Sequence, residues 1–472
     1  MKVEQIYTGC IAHAAYYIEN NGEAAIFDPL REVQPYIDKA KSDSAEIKYV
    51  FETHFHADFV SGHLDLAKKT SAKIVYGPTA KPEFDAIVAE DNQEFKIGNY
   101  TVKVLHTPGH TMESTTYLLI DEKGIQHGII TGDTLFIGDV GRPDLAQHVV
   151  KDLTQEKLAG YLYESLRDKI IPLPDELIVY PNHGAGSACG KMMSKETTDT
   201  LGNQKATNYA LQPDLSKEEF ITVLLDGLTP PPGYFPKNVL MNIQGYDSID
   251  KVIERGEKPL KPNEFEAIAN ETRALILDTR ESESFKDAFI PNSINIGLDN
   301  NFAQWVGELI PDIKQKILLV TDPGKEEESI IRLSRVGYDY AVGFLEGGIE
   351  AWKAADKEID SIKRIDVEEL KSMRENKDIK IFDVRKPSEF NSQHLVGAEN
   401  TPLNQINSHL SEFPKSSEFI IHCQGGYRSM IAASILKQRG FENFKDLRGG
   451  FEEILKDESI KVTDYICPTT LL

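Results

Sequence analysis

Apolar residues in the first half of the chain fall into short runs bounded by Gly, Pro, Asn and Asp. Ala24–Phe27, Ile47–Phe51, Lys73–Tyr76, Thr101–Leu105, Thr115–Ile120 and Gly128–Thr131 are each too short for a helix and predict strands. Beyond residue 250 the runs Ala274–Leu277, Ile317–Val320, Ile379–Phe382 and Phe419–Ile421 are apolar but for Lys380 and alternate with helical stretches. Strands buried on both faces and separated by helices predict parallel α/β units. The two halves are divided by Thr229-Pro-Pro-Pro-Gly-Tyr-Phe-Pro236, which is expected to be neither helix nor central strand.

The second half repeats itself. Asp278-Thr-Arg280 followed by Phe285 returns as Asp383-Val-Arg385 followed by Phe390, and Gly347-Gly-Ile-Glu350 returns as Gly449-Gly-Phe-Glu452. A spacing of about 100 residues is a duplicated domain, since solenoid repeats have shorter periods. The expected domains are therefore 1–245, 255–358 and 362–472.

Composition narrows the class. The 472 residues are 40% hydrophobic and 27% charged, which is globular and long enough for several domains. A net charge of -23 repels phosphate backbones and argues against nucleic acid as a partner. No apolar stretch reaches the ~20 residues of a membrane span, and the start MKVEQIYTGC lacks a secretory apolar region. Cys10, Cys189, Cys423 and Cys467 lie far apart with no CxxC pair, so a disulfide framework is not expected and a cytoplasmic location is. Cys10 and Cys467 read as structural.

Chemistry-bearing residues gather in turns after predicted strands. Thr53-His-Phe-His-Ala-Asp58 follows the strand ending at Phe51; Thr107-Pro-Gly-His110, Thr131-Gly-Asp133 and Pro181-Asn-His183 come later. Imidazoles and carboxylates in several such turns can converge on one cation. THFHADF, HTPGHT, TGDTLF and PNHG, with Ala24-Ala-Ile-Phe-Asp-Pro29 before them, resemble in order the motifs of the metallo-β-lactamase fold. That resemblance implies an αββα sandwich with its metal site at one edge of the sheets.

The usual signature, THxHxDH, places a second-metal imidazole where this chain has Phe59. His63, one helical turn on, is a possible substitute. The mononuclear pattern that remains resembles the persulfide dioxygenases. It implies one non-haem Fe(II) per chain held by His54, His110 and Asp133, with His56, Asp58 and His183 around them. Two imidazoles and one carboxylate leave coordination positions open for dioxygen and a substrate sulfur. By the same resemblance Arg142 meets the carboxylate of a thiol carrier, unless it pairs with Asp139 or Asp144. Cys189, in a Gly-rich turn six residues after His183, is either a thiol relay or an inert buried thiol.

In the third segment Ile420-Ile-His-Cys423 ends a strand, and Gln424, Gly425, Gly426, Tyr427, Arg428 and Ser429 lead into a helix. Backbone N–H groups at such a junction stabilise a thiolate and cradle an anion, and Arg428 adds positive charge. With Asp383-Val-Arg385, His394-Leu-Val-Gly-Ala398 and Arg448-Gly-Gly450, the loop resembles the rhodanese family. This implies a doubly wound domain in which Cys423 carries sulfane sulfur. The middle copy has Thr321-Asp-Pro-Gly-Lys-Glu-Glu-Glu-Ser329 at the equivalent loop, with no Cys, and is expected to be inactive.

The order of domains resembles the fused persulfide dioxygenase–sulfurtransferases of sulfide detoxification. Substrates implied are O₂, a glutathione, coenzyme A or bacillithiol persulfide, and sulfite or thiosulfate. Rivals are a zinc thioester hydrolase of the glyoxalase II type and a non-catalytic sulfur-carrier scaffold. A homodimer or homotetramer is the family-level expectation.

Overall fold

The computed structural model describes residues 1–145, 153–228, 230–299, 301–376 and 379–467. Thr229 of the Pro-rich stretch and the last five residues of the expected third domain lie outside them. The chain divides into two compact units, Met1–Val252 with Ile331–Asp339, and Ile253–Ile330 with Tyr340–Leu472.

The first unit contains two sheets. One runs in chain order through β1 (Val3–Thr8), β2 (His13–Asn20), β3 (Glu23–Phe27), β4 (Glu46–Phe51), β5 (Lys73–Tyr76) and β6 (Ile87–Val88). The other comprises β7 (Glu94–Ile97), β8 (Tyr100–His106), β9 (Thr115–Ile120), β10 (Gln126–Gly132), β11 (Ile178–Pro181) and β12 (Asp199–Thr200), ordered β12-β11-β10-β9-β8-β7. All six runs expected as strands are strands, extended by a residue or two at some ends.

Side-chain alternation explains the layers. In β3, Ala25 and Phe27 enter the core between the sheets with Tyr16, Phe51, Val104, Tyr117 and Ile130. Ala24 and Ile26 face the other way, toward Tyr36, Ala40 and Leu66 of the helices Gln34–Ser42 and His63–Thr70. Outside the second sheet, Leu118, Ile129 and Val179 pack on Leu162, Phe220 and Leu224 of the helices Gln155–Ser165 and Lys217–Leu225. Helix, sheet, sheet, helix is the expected αββα sandwich. One expectation needs correction: the end of the Pro-rich stretch is helical, since Phe235–Gln244 is a helix with Pro in its first turn. There a missing N–H breaks no intrahelical bond.

Arg31, fully buried, makes a bidentate pair with Asp339 (2.6 and 2.8 Å) and also donates to the carbonyls of Ser334 and Asp247. Removing one partner of a buried pair strands the other charge. Arg31→Met is therefore expected to destabilise the first unit by about 3–5 kcal/mol, read as a lower urea midpoint. A midpoint unchanged from wild type would show that the pair contributes nothing net.

The second unit holds two sheets of the same topology. Leu275–Asp278, Ile317–Val320 and Ala341–Leu345 form one parallel sheet with Pro259–Leu260 and Ile294–Asn295. Lys380–Asp383, Phe419–His422 and Phe444–Leu447 form the other with Arg364–Ile365 and Ala398–Asn400. The repeated Asp-x-Arg is one structural device in both: Arg280 pairs with Asp278 and Arg385 with Asp383, each at 2.6 Å. Both pairs are buried, which explains why these residues recur in the Cys-less copy.

Candidate functional site

Four strand ends deliver the first site. His54 follows β4, His110 lies in the turn joining β8 to β9, Asp133 directly follows β10 and His183 follows β11. The register of β10 on β11 shifts between Ile130 and Gly132, an irregularity that re-aims the chain just before Asp133. Gly141 lets the next loop close down on the site. A Cβ there would lie 2.1 Å from the Asp133 carbonyl oxygen and 2.9 Å from His110 Nδ1.

His54, His110 and Asp133 are buried, and their ligand atoms lie within 4.8 Å of one another. Asp133 Oδ2 is 3.4 Å from His110 Nε2 and 3.9 Å from His54 Nε2. The remaining nitrogens are held from behind: His110 Nδ1 is 2.8 Å from the Arg142 carbonyl oxygen and His54 Nδ1 is 3.0 Å from Thr53 Oγ1. A His110 Nδ1–H donated to that carbonyl leaves the Nε2 lone pair free for a cation. Both carboxylate oxygens of Asp133 are buried with no hydrogen-bond partner among the described residues. A dry, unpartnered carboxylate is costly, and a cation between it and the two imidazoles removes the cost. The donor set thus fits a metal ion.

A second group lies beside the first. Asp58, His183 and Cys189 offer ligand atoms within 4.8 Å of one another, and His183 Nε2 is 3.5 Å from both Asp58 Oδ2 and Asp133 Oδ1. The sequence placed Asp58 and His183 near the metal and Cys189 in the Gly-rich turn just past His183, and the structure brings the three together. The loop after His183 folds back so that the Cys189 carbonyl accepts from the Arg142 N–H. Burial, then Asp58 and Asp133, push the Cys189 thiol well above its ordinary pKa.

His56 turns away, toward Asp28 Oδ1 (3.0 Å) and Glu52 Oε2 (3.3 Å). Burial opposes its charge, but the two carboxylates outweigh burial and lift its pKa well above the usual value. Phe59 is fully buried, its ring 4.2 Å from that of His13 and 4.3 Å from that of His56. Among the described residues His63 joins neither of these ligand groups, nor the third, Asp28, Glu52 and His56, whose ligand atoms also lie within 4.8 Å of one another. Its ring sits 5.0 Å from Phe84, and burial pushes its pKa down to about 3. Arg142 is buried in a bidentate pair with Asp144, both contacts 2.6 Å, so the Asp144 alternative holds in this structure.

The second site is the loop after Phe419–His422. Cys423 is 1% exposed, and its Sγ accepts from the Gly426 N–H at 3.1 Å. Gly426 has φ +103° and caps the helix Tyr427–Gln438, which turns its own N–H toward the sulfur. The Phe451 and Glu452 N–H groups donate to the carbonyls of Cys423 and Gln424, and Arg385 donates to Gln424 Oε1. Ser429 Oγ donates to the Gly426 carbonyl. Arg428 is paired with Glu389 (2.5 and 2.8 Å), so its charge reaches the loop largely neutralised. In the other copy the helix Glu326–Arg335 opens with Glu326, Glu327 and Glu328 in its first turn, where side-chain carboxylates take the favourable place of an anion.

Comparison with known proteins agrees with this layout. The metallo-beta-lactamase superfamily model matches residues 8–183, and the rhodanese-like domain model matches residues 261–355 and 366–457. A crystal structure of a metallo-beta-lactamase from Staphylococcus aureus is 32% identical, covering 73% of this chain and 98% of that one, with a TM-score of 0.63. A probable hydroxyacylglutathione hydrolase of Schizosaccharomyces pombe is 28% identical over 195 residues, 40% of this chain and 71% of that protein. The human mitochondrial persulfide dioxygenase ETHE1 is 28% identical over 204 residues, 43% of this chain and 71% of that protein. Among the described residues no helix is long and apolar enough to cross a membrane.

Proposed function

The chain belongs to the metallo-β-lactamase superfamily and carries two rhodanese-like domains, and on that premise we propose that it is an iron persulfide dioxygenase joined to a sulfurtransferase. The net first reaction is RSSH + O₂ + H₂O → RSH + sulfite + 2 H⁺. The observation that carries this reading is Phe59, buried against His13 and His56 where dinuclear hydrolases place a ligand imidazole. It leaves His54, His110 and Asp133 as the ligand set. Iron(II) in such a set supplies Lewis acidity and redox chemistry with dioxygen. The protein's part is to hold His110 through the Arg142 carbonyl, keep the Asp133 charge dry and exclude bulk water from a buried site.

In the second reaction the Cys423 thiolate attacks the sulfane sulfur of a persulfide. The S–S bond breaks, the carrier leaves as thiolate, and Cys423 becomes a persulfide. Sulfite then attacks the outer sulfur, forming thiosulfate and returning the Cys423 thiolate. The Gly426 N–H stabilises the anion at each stage. One chain holding both sites raises the local concentration of sulfite for Cys423.

A second reading, a zinc thioester hydrolase, is favoured by the Asp58, His183 and Cys189 group and by the hydroxyacylglutathione hydrolase relative. Metal analysis separates the two. The dioxygenase reading expects about one iron per chain, and oxygen-free purified protein that leaves a glutathione thioester intact. Two zinc ions with rapid thioester cleavage would overturn it.

A further inference from the structure

We infer that the Cys-less rhodanese copy is a positioning element of the Cys423 site, acting through Tyr427 and the carbonyl of Gly297. This rests on reading Cys423 as the sulfur carrier. The helix Tyr427–Gln438 begins at the loop that surrounds Cys423, and three of its side chains reach the other copy within the second unit: Gln438 Nε2 donates to the Asn292 carbonyl at 3.0 Å, and the other two lie nearer the loop. The Tyr427 hydroxyl donates to the Gly297 carbonyl at 2.9 Å. Ser434 Oγ accepts from the Asn295 N–H at 3.0 Å. Tyr427 and Ser434 are two helical turns apart and so lie on one helix face. That face is pinned to the segment Ile294–Gly297, which leaves the edge strand Ile294–Asn295 of the Cys-less copy.

The anchored end is the one that matters for chemistry. Tyr427 directly follows Gly426, whose N–H donates to Cys423 Sγ. Gly426 also backs onto Arg364, since a Cβ there would lie 2.9 Å from Arg364 Nη2. The Arg364 guanidinium is held by Asp446 Oδ2 at 2.6 Å and, from the Cys-less copy, by Glu283. The residue that donates to the sulfur is thus fixed by Tyr427 on one side and Arg364 on the other. Each of these is tied to the Cys-less copy. A loop whose donors must point at a developing anion gains rate from being held in place beforehand. This gives the silent domain a task that explains its presence without any loop chemistry of its own.

The test uses the full chain with Tyr427→Phe, Ser434→Ala and the double variant. Two quantities are measured: sulfur transfer from thiosulfate to cyanide per titrated Cys423, and the rate of iodoacetamide alkylation of Cys423 by mass spectrometry. Tyr427→Phe is expected to lower the transfer kcat about fivefold, the size of one hydrogen bond, with the thiosulfate KM little changed. Alkylation should slow in parallel, and the double variant should be slower than either. Oxygen uptake by the first unit should stay at the wild-type level. A purely structural role would lower the melting temperature and the titratable fraction but leave kcat per titrated Cys423 unchanged. Wild-type values of both kcat per site and alkylation rate in Tyr427→Phe and Ser434→Ala would overturn the inference. Slower alkylation of the variants beside a wild type that transfers no sulfur would support the positioning role and count against the sulfurtransferase reading alone.

Discussion

Cys423→Ser is expected to abolish thiosulfate formation, by on the order of 10³-fold or more, while oxygen uptake with a thiol persulfide continues and sulfite accumulates. The reasoning is local. A serine hydroxyl occupies the same place and accepts from the Gly426 N–H, so the fold of the loop is retained. Its oxygen is not ionised near neutral pH, however, and cannot carry sulfane sulfur. No other cysteine can take over in the second unit's loops: the equivalent position of the other copy is Thr321 in a segment without Cys, and Cys467 is exposed beyond the last helix. Thiosulfate from Cys423→Ser at the wild-type rate would mean that sulfur transfer takes place elsewhere.

Asp133→Asn is expected to have the other large effect. The variant keeps the shape of the side chain and removes the negative charge that lies 3.4 Å from His110 Nε2. Iron affinity should fall about 10²-fold or more, beyond the loss typical of outer groups, and oxygen uptake should fall with it. Sulfur transfer at Cys423 should be untouched. The two variants together dissect the chain into independent halves, and iron content measured beside each activity checks the assignment. An Asp133→Asn protein with full iron would place the metal on other ligands.

Much of this was legible in the sequence because the signals are local. Apolar runs bounded by turn residues gave the strands, and the strands of a sandwich deliver their end residues to a common edge. His54, His110 and Asp133 therefore meet as their motif order implied. The Cys423 loop was equally legible, since strand, Gly-rich turn and helix are contiguous. What the sequence did not show depends on folding back over distance. Cys189 meets Asp58 only through the return of a loop onto Arg142, whereas the pairing of Arg142 with Asp144, two residues away, was already one of the alternatives the sequence offered. Arg428 read as free positive charge because its partner, Glu389, lies in a helix 39 residues earlier. The Pro-rich stretch misled for a different reason: Pro236 stands in the first turn of a helix, where proline is welcome.

The most direct test of the central claim is oxygen consumption by the iron-loaded chain given a glutathione or coenzyme A persulfide, with the anions analysed alongside. The account predicts consumption of about one O₂ per persulfide oxidised, with thiosulfate as product in the wild type and sulfite in Cys423→Ser. No uptake with either persulfide, from protein that holds zinc when isolated and cleaves thioesters, would contradict it.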